Sequence, residues 1–149
     1  MKKITFLLIS FSFLGIVQAQ EKYSFAFNHL ALSVKNLDTS ANFYNEVLGL
    51  KEITNKTKIK GIRWFSISEG KELHLISILN EPVVINKAVH FALSTSDFDD
   101  FIKKLDKKHI PYSDWLGVMN KVTMRADGIQ QVYFQDPNGY WIEVNSVKQ

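Results

Sequence analysis

The chain has 149 residues, with 18 Lys+Arg, 15 Asp+Glu, 4 His and no Cys. That length is one domain's worth, and 46% hydrophobic with 22% charged residues excludes collagen-like and disordered chains. The missing cysteines exclude disulfides, zinc–thiolate sites, iron–sulfur clusters and thiol nucleophiles.

Residues 1–19 read as a signal peptide. Lys2 and Lys3 precede an apolar run from Ile4 to Val17, and Val17 and Ala19 supply small residues before the expected cut. The run is short for a span, which needs roughly 20 apolar residues. The mature chain would start at Gln20, work in the periplasm or outside the cell, and keep no stable membrane association. Leaving out Lys2 and Lys3, 16 basic residues face 15 acidic ones. So balanced a body carries no electrostatic footprint for nucleic acid.

Residues 20–149 read as a single domain made of two repeats, about 25–80 and 85–149. His29-Leu-Ala-Leu-Ser matches His90-Phe-Ala-Leu-Ser, 61 positions on, and both alternate like strands. Each leads into an amphipathic helix. The first runs over 37–48 and is stopped by Gly49; the second runs over 98–109 and is stopped by Ile110-Pro111. Three strands are then expected in each half: 51–57, 61–68 and 71–79, then 112–116, 130–135 and 140–147. The last two of each set are joined by tight turns, Ser68-Glu69-Gly70 and Asp136-Pro137-Asn138-Gly139. Matching Gly70 to Gly139 gives a second offset of 69, so the extra residues fall in a loop near 117–128. Glu81-Pro82 starts the crossover. The expected class is α+β: two βαβββ modules forming curved mixed sheets around a central metal cavity.

The second offset pairs His74 with Glu143 as the first pairs His29 with His90. Side chains alternate across a strand. With Leu30, Leu32 and Val34 facing the helix, His29 takes the other face, and the same parity sends His74, His90 and Glu143 there. A single strand histidine is usually a hydrogen-bonded core residue. Here three of four histidines and one mid-strand glutamate form two repeat-matched pairs. An ionised carboxylate among apolar residues is costly unless paired or metal-bound. Three imidazoles and a carboxylate suit one divalent transition metal: Zn, Ni, Fe, Mn or Co. Glu72 shares the parity of His74 and is the alternative fourth ligand. His109, beside Lys107 and Lys108, reads as a surface residue at a helix end.

Trp64, Phe65, Tyr133 and Trp141 are either pocket lining or core. Arg63 and Arg125 either hold an anionic substrate group or are solvated. Lysines 51, 56, 58 and 60 read as a protected sheet edge.

These segments resemble the vicinal oxygen chelate superfamily of glyoxalase I, extradiol dioxygenases and fosfomycin-resistance enzymes. The carriers are His29-Leu-Ala-Leu-Ser-Val, Phe43-Tyr-Asn-Glu-Val-Leu-Gly-Leu50, Glu72-Leu-His-Leu75, His90-Phe-Ala-Leu93 and Phe134-Gln-Asp-Pro-Asn-Gly-Tyr-Trp-Ile-Glu143. The resemblance covers about residues 25–147. It implies that His29, His74, His90 and Glu143 are metal ligands, with Glu143 alternating as the catalytic general base. The implied activity is that of a metal-dependent lyase or isomerase acting on a small, oxygenated, carbonyl-bearing substrate. The alternatives are a ring-cleaving dioxygenase using His29, His90 and Glu143, or a non-catalytic small-molecule- or antibiotic-binding protein. A homodimer is the expected partner state. At two positions where glutathione-dependent members carry arginine and asparagine, this chain has Ser33 and Ile78, so little dependence on glutathione is expected.

Overall fold

The computed structural model describes residues 25–79 and 81–148; the expected signal peptide lies outside them. Among the described residues no helix is long and apolar enough to cross a membrane. The first half runs β1 (His29–Ser33), α1 (Leu37–Glu46), β2 (Lys51–Ile53), β3 (Ile62–Ser66) and β4 (Glu72–Ile76). The second runs β5 (His90–Ser94), α2 (Phe98–Lys107), β6 (Tyr112–Ser113), β7 (Thr123–Met124), β8 (Gln130–Gln135) and β9 (Trp141–Asn145). The expected α+β class and the twofold βαβββ order are both found. One strand, β7, was not expected; it lies in the extra loop and pairs with β8.

Two open sheets result, ordered β1-β4-β3-β2 and β5-β9-β8-β6. Both are mixed: β1 pairs parallel with β4 and β5 with β9, while β3–β4 and β8–β9 are antiparallel hairpins. The repeat extends to register. Ala31 lies opposite His74 in one sheet, and Ala92 lies opposite Glu143 in the other.

Local chemistry sets the element ends. The Asn36 side chain accepts from Thr39 N at 2.9 Å and caps α1. Gly49, at φ 70°, follows the end of that helix. Strand β2 is shorter than the expected 51–57 because Asn55 turns the chain. Its amide donates to the carbonyls of Ile59 and Ile62, and its oxygen accepts from Thr57 N. Helix α2 stops at Lys107, two residues early, with His109 beyond it in left-handed backbone (φ 54°).

Both sheets cover their helix-facing sides with one core. Leu32, Val34, Tyr44, Phe65, Leu73 and Leu75 from the first half join Leu105, Val132, Phe134, Ile142 and Val144 from the second. Phe134 makes the link, with its ring 6.4 Å from Phe43 on α1 and 5.8 Å from Phe101 on α2.

The β8–β9 turn docks on the first module. Buried Asp136 accepts from its own turn (Asn138 N, Tyr140 N) and from Tyr44 OH on α1 at 2.9 Å. Asn138 donates to Ser40 Oγ at 2.8 Å, and the Tyr140 hydroxyl accepts from Ser33 N at 3.2 Å. Burial, followed by the nearby Asp136 charge, pushes the Tyr44 phenol far above its ordinary pKa, so it stays a donor. Tyr44→Phe removes a hydrogen bond to a buried carboxyl group and is expected to cost about 1.5–3 kcal/mol in urea unfolding.

The other end of the duplication differs. Lys71 stands at the repeat position of Tyr140 and turns outward to Glu69, with Nζ 2.5 Å from the carboxylate. An apolar cavity of about 440 Å³ opens there, lined by Phe27, Leu30, Leu48, Phe91 and Phe101 among others.

Candidate functional site

Residues whose side chains leave the core through the far faces of the two sheets carry the candidate chemistry. On the first sheet His29 lies opposite Glu72, and His74 lies opposite Ala31 and Trp64. Their rings form a stack: Trp64 on His74 at 4.2 Å and 7°, His74 on His29 at 4.3 Å and 17°. His74 Nε2 is 2.8 Å from Glu72 Oε2, and His29 Nδ1 is 2.7 Å from the Asn28 side-chain oxygen.

On the second sheet His90 Nε2 approaches Glu143 Oε2 at 3.6 Å. The His90 Nδ1 is 2.9 Å from the carbonyl of Lys87. A carbonyl only accepts, so this nitrogen carries a proton, and in the neutral ring Nε2 carries the lone pair. Glu143 is 7% exposed, yet both of its oxygens are occupied. Tyr133 OH donates to Oε2 at 2.6 Å and Asn145 Nδ2 to Oε1 at 2.9 Å. Gln131 donates in turn to the Tyr133 oxygen at 3.0 Å. Burial first, and then the Glu143 hydrogen bond and charge, raise the Tyr133 pKa beyond its ordinary range, so the phenol remains a donor.

Lys87 closes one side of this half. Its ammonium lies 4.5 Å from the Trp141 ring centre and donates to Ser113 Oγ at 3.0 Å and to the Asp114 carbonyl at 2.8 Å. That bond pins the loop that holds Trp115 against His90 and Tyr133.

The four expected ligands thus come together as two pairs, His29 with His74 and His90 with Glu143. Among the described residues no group of three or more His, Cys, Asp or Glu is placed to hold a metal ion. The physical reason lies in the core. The helix-facing sides of both sheets meet in one apolar cluster, so the two ligand faces look away from it rather than toward each other. Strand parity placed each residue on its face; the relation between the faces is a tertiary matter.

The other candidates divide. Phe65 is core, at 1% exposure. Trp64, Tyr133 and Trp141 are on the ligand faces. Arg63 is held by Glu52 and Asp38, and Arg125 by Asp127, so both guanidiniums already have carboxylates. Lys87, Gln131 and Asn145 were not singled out from the sequence. Gln131 and Asn145 were legible, each lying two residues from Tyr133 or Glu143 and so on the same face.

Residues 26–144 match the family model described as Glyoxalase/Bleomycin resistance protein/Dioxygenase superfamily. The chain belongs to that superfamily. It is 27% identical over 125 residues to Glyoxylase I 4 of Arabidopsis thaliana, covering 78% of this chain and 68% of that protein. It is 24% identical over 123 residues to the metallothiol transferase FosB of Staphylococcus saprophyticus, covering 80% and 75%. Among solved structures, Oxidase ChaP-H2 superposes with a TM-score of 0.70 at 22% identity, covering 85% of this chain and 96% of that one.

Proposed function

We propose that this protein is an exported, metal-dependent lyase or isomerase acting on a small, oxygenated, carbonyl-bearing molecule. One divalent transition metal would be held by His29 and His74 of one copy and His90 and Glu143 of a second. The observation that carries this reading is the second half-site, where a buried carboxylate stands beside an imidazole whose Nδ1 is held by a backbone carbonyl and whose Nε2 faces the carboxylate. His29 fits the same pattern, with Nδ1 turned to a side-chain oxygen. An outer oxygen holding one ring nitrogen is the usual support of a metal-ligating histidine. Three imidazoles and one carboxylate suit Zn, Ni, Fe, Mn or Co.

When bound, the metal supplies Lewis acidity toward a substrate carbonyl or a pair of adjacent oxygens. The chain's own residues do the rest. Glu143 takes and returns a proton at its carboxylate oxygens, while Trp115, Tyr133 and Trp141 wall the site and exclude water. Ser33 and Ile78 supply neither of the side chains that glutathione-dependent members use, so the methylglyoxal–glutathione adduct is expected to be a poor substrate.

A mixing experiment tests both the ligands and their sharing. A His29→Ala/His74→Ala variant and a His90→Ala/Glu143→Gln variant should each purify without metal. Refolded together, they should recover metal at about one site in four, because a mixed dimer rebuilds one intact site and random pairing makes half the dimers mixed. No recovery, alongside a metal-loaded wild type, would place all four ligands in one chain. A wild type without metal would turn the reading to a non-catalytic binding protein.

One observation favours a second enzymatic reading. His74 is tied to Glu72 at 2.8 Å, which leaves His29, His90 and Glu143 as a three-ligand set of the kind used by non-haem iron oxygenases. Oxygen uptake by iron-loaded protein with a catechol would establish this ring-cleaving alternative.

A further inference from the structure

We infer that Tyr133 and Asn145 are positioning residues that hold the Glu143 carboxylate in one orientation for the metal. The inference deepens the functional reading above and rests on it. Register places four polar side chains in a two-by-two patch on one sheet face: Tyr133 opposite Glu143, and Gln131 opposite Asn145. All four are buried. Each Glu143 oxygen receives one donor, from Tyr133 and from Asn145, and Gln131 fixes the phenol in turn. A carboxylate gripped at both oxygens cannot rotate, so its remaining lone pairs point in set directions.

The duplication supplies the internal control. The same two-by-two patch exists in the first module, in the same register, as Ile62 opposite Ile76 and Trp64 opposite His74. Three of those four positions are apolar or aromatic, and the sheet forms equally well. The polar patch is therefore not what the fold requires at these positions. It is what a buried carboxylate requires if it is to keep a fixed geometry. Both donors are neutral groups, and no lysine or arginine pairs with Glu143 among the described ion pairs. The grip orients the charge without pairing it with a lysine or arginine; the basic side chain beside it among the described ion pairs is His90, itself an expected ligand.

Cobalt titration by calorimetry, followed in parallel by the visible cobalt spectrum, tests this without a substrate. Tyr133→Phe is expected to weaken cobalt binding about 10–100-fold, the usual cost of losing an outer-shell partner. Asn145→Ala should do the same and decides the matter if Tyr133→Phe fails to fold. In a Glu143→Gln background, where the held charge is gone, neither change should cost further affinity. Affinity for both variants within about threefold of wild type, against that 10–100-fold expectation, would overturn the inference. So would a loss that persists in full in the Glu143→Gln background, which would mark a merely structural role. A wild type that binds no cobalt would instead sink the metal reading, and this inference with it.

Discussion

Phe134→Ala is expected to destabilise the protein by about 3–5 kcal/mol, the range for deleting a buried aromatic ring. Phe134 is 1% exposed and lies in the middle of the second sheet. It touches Phe43 on the helix of the first module and Phe101 on the helix of the second. Its loss leaves a cavity where both helices meet the sheet. With domain stabilities of about 5–15 kcal/mol, much of the total is removed. Urea unfolding followed by tryptophan fluorescence and by far-ultraviolet circular dichroism measures the loss. Since the ring joins the two modules, the two probes should separate in the variant if the halves come apart stepwise.

Glu143→Gln is expected to lower turnover about 10²–10⁴-fold, the range for removing a general base, while metal content falls by much less. Glutamine keeps the length and the hydrogen-bond acceptor for Tyr133 but can neither take a proton nor offer a full negative charge. Three imidazoles remain to hold the metal. Elemental analysis of the purified variant, set beside turnover of the first carbonyl substrate that the wild type accepts, checks the split. Equal losses of metal and turnover would make Glu143 a ligand alone.

Much of this organisation can be read along the chain. Two constant offsets, 61 and 69, carried the duplication. Alternation carried the face of each strand, because His29, His74, His90 and Glu143 all interleave with residues of one apolar core. Strand ends were less legible: nothing in the alternation of residues 51–57 announces that the Asn55 amide will serve two carbonyls. Asp136 reads as a turn former, but its hydrogen bond to Tyr44, 92 residues away, depends on which surfaces dock. The division of the ligands into two pairs has the same origin. Alternation assigns a side chain to a face of its own sheet, whereas the relation between two faces is set by which sides share a core.

The cavity beside Lys71 has a mechanical consequence. A topological duplicate suggests two equivalent seams, yet one is closed by Tyr140, Asn138 and Asp136 with directed hydrogen bonds, and the other is an open cleft of about 440 Å³ lined mostly by apolar side chains. Side chains that line an open cleft are packed on one side only, so the Lys71 seam yields to displacement more readily than the seam whose hydrogen bonds must break first. A fold that repeats itself in connectivity is in this sense polar in its compliance, stiff at one joint and soft at the other.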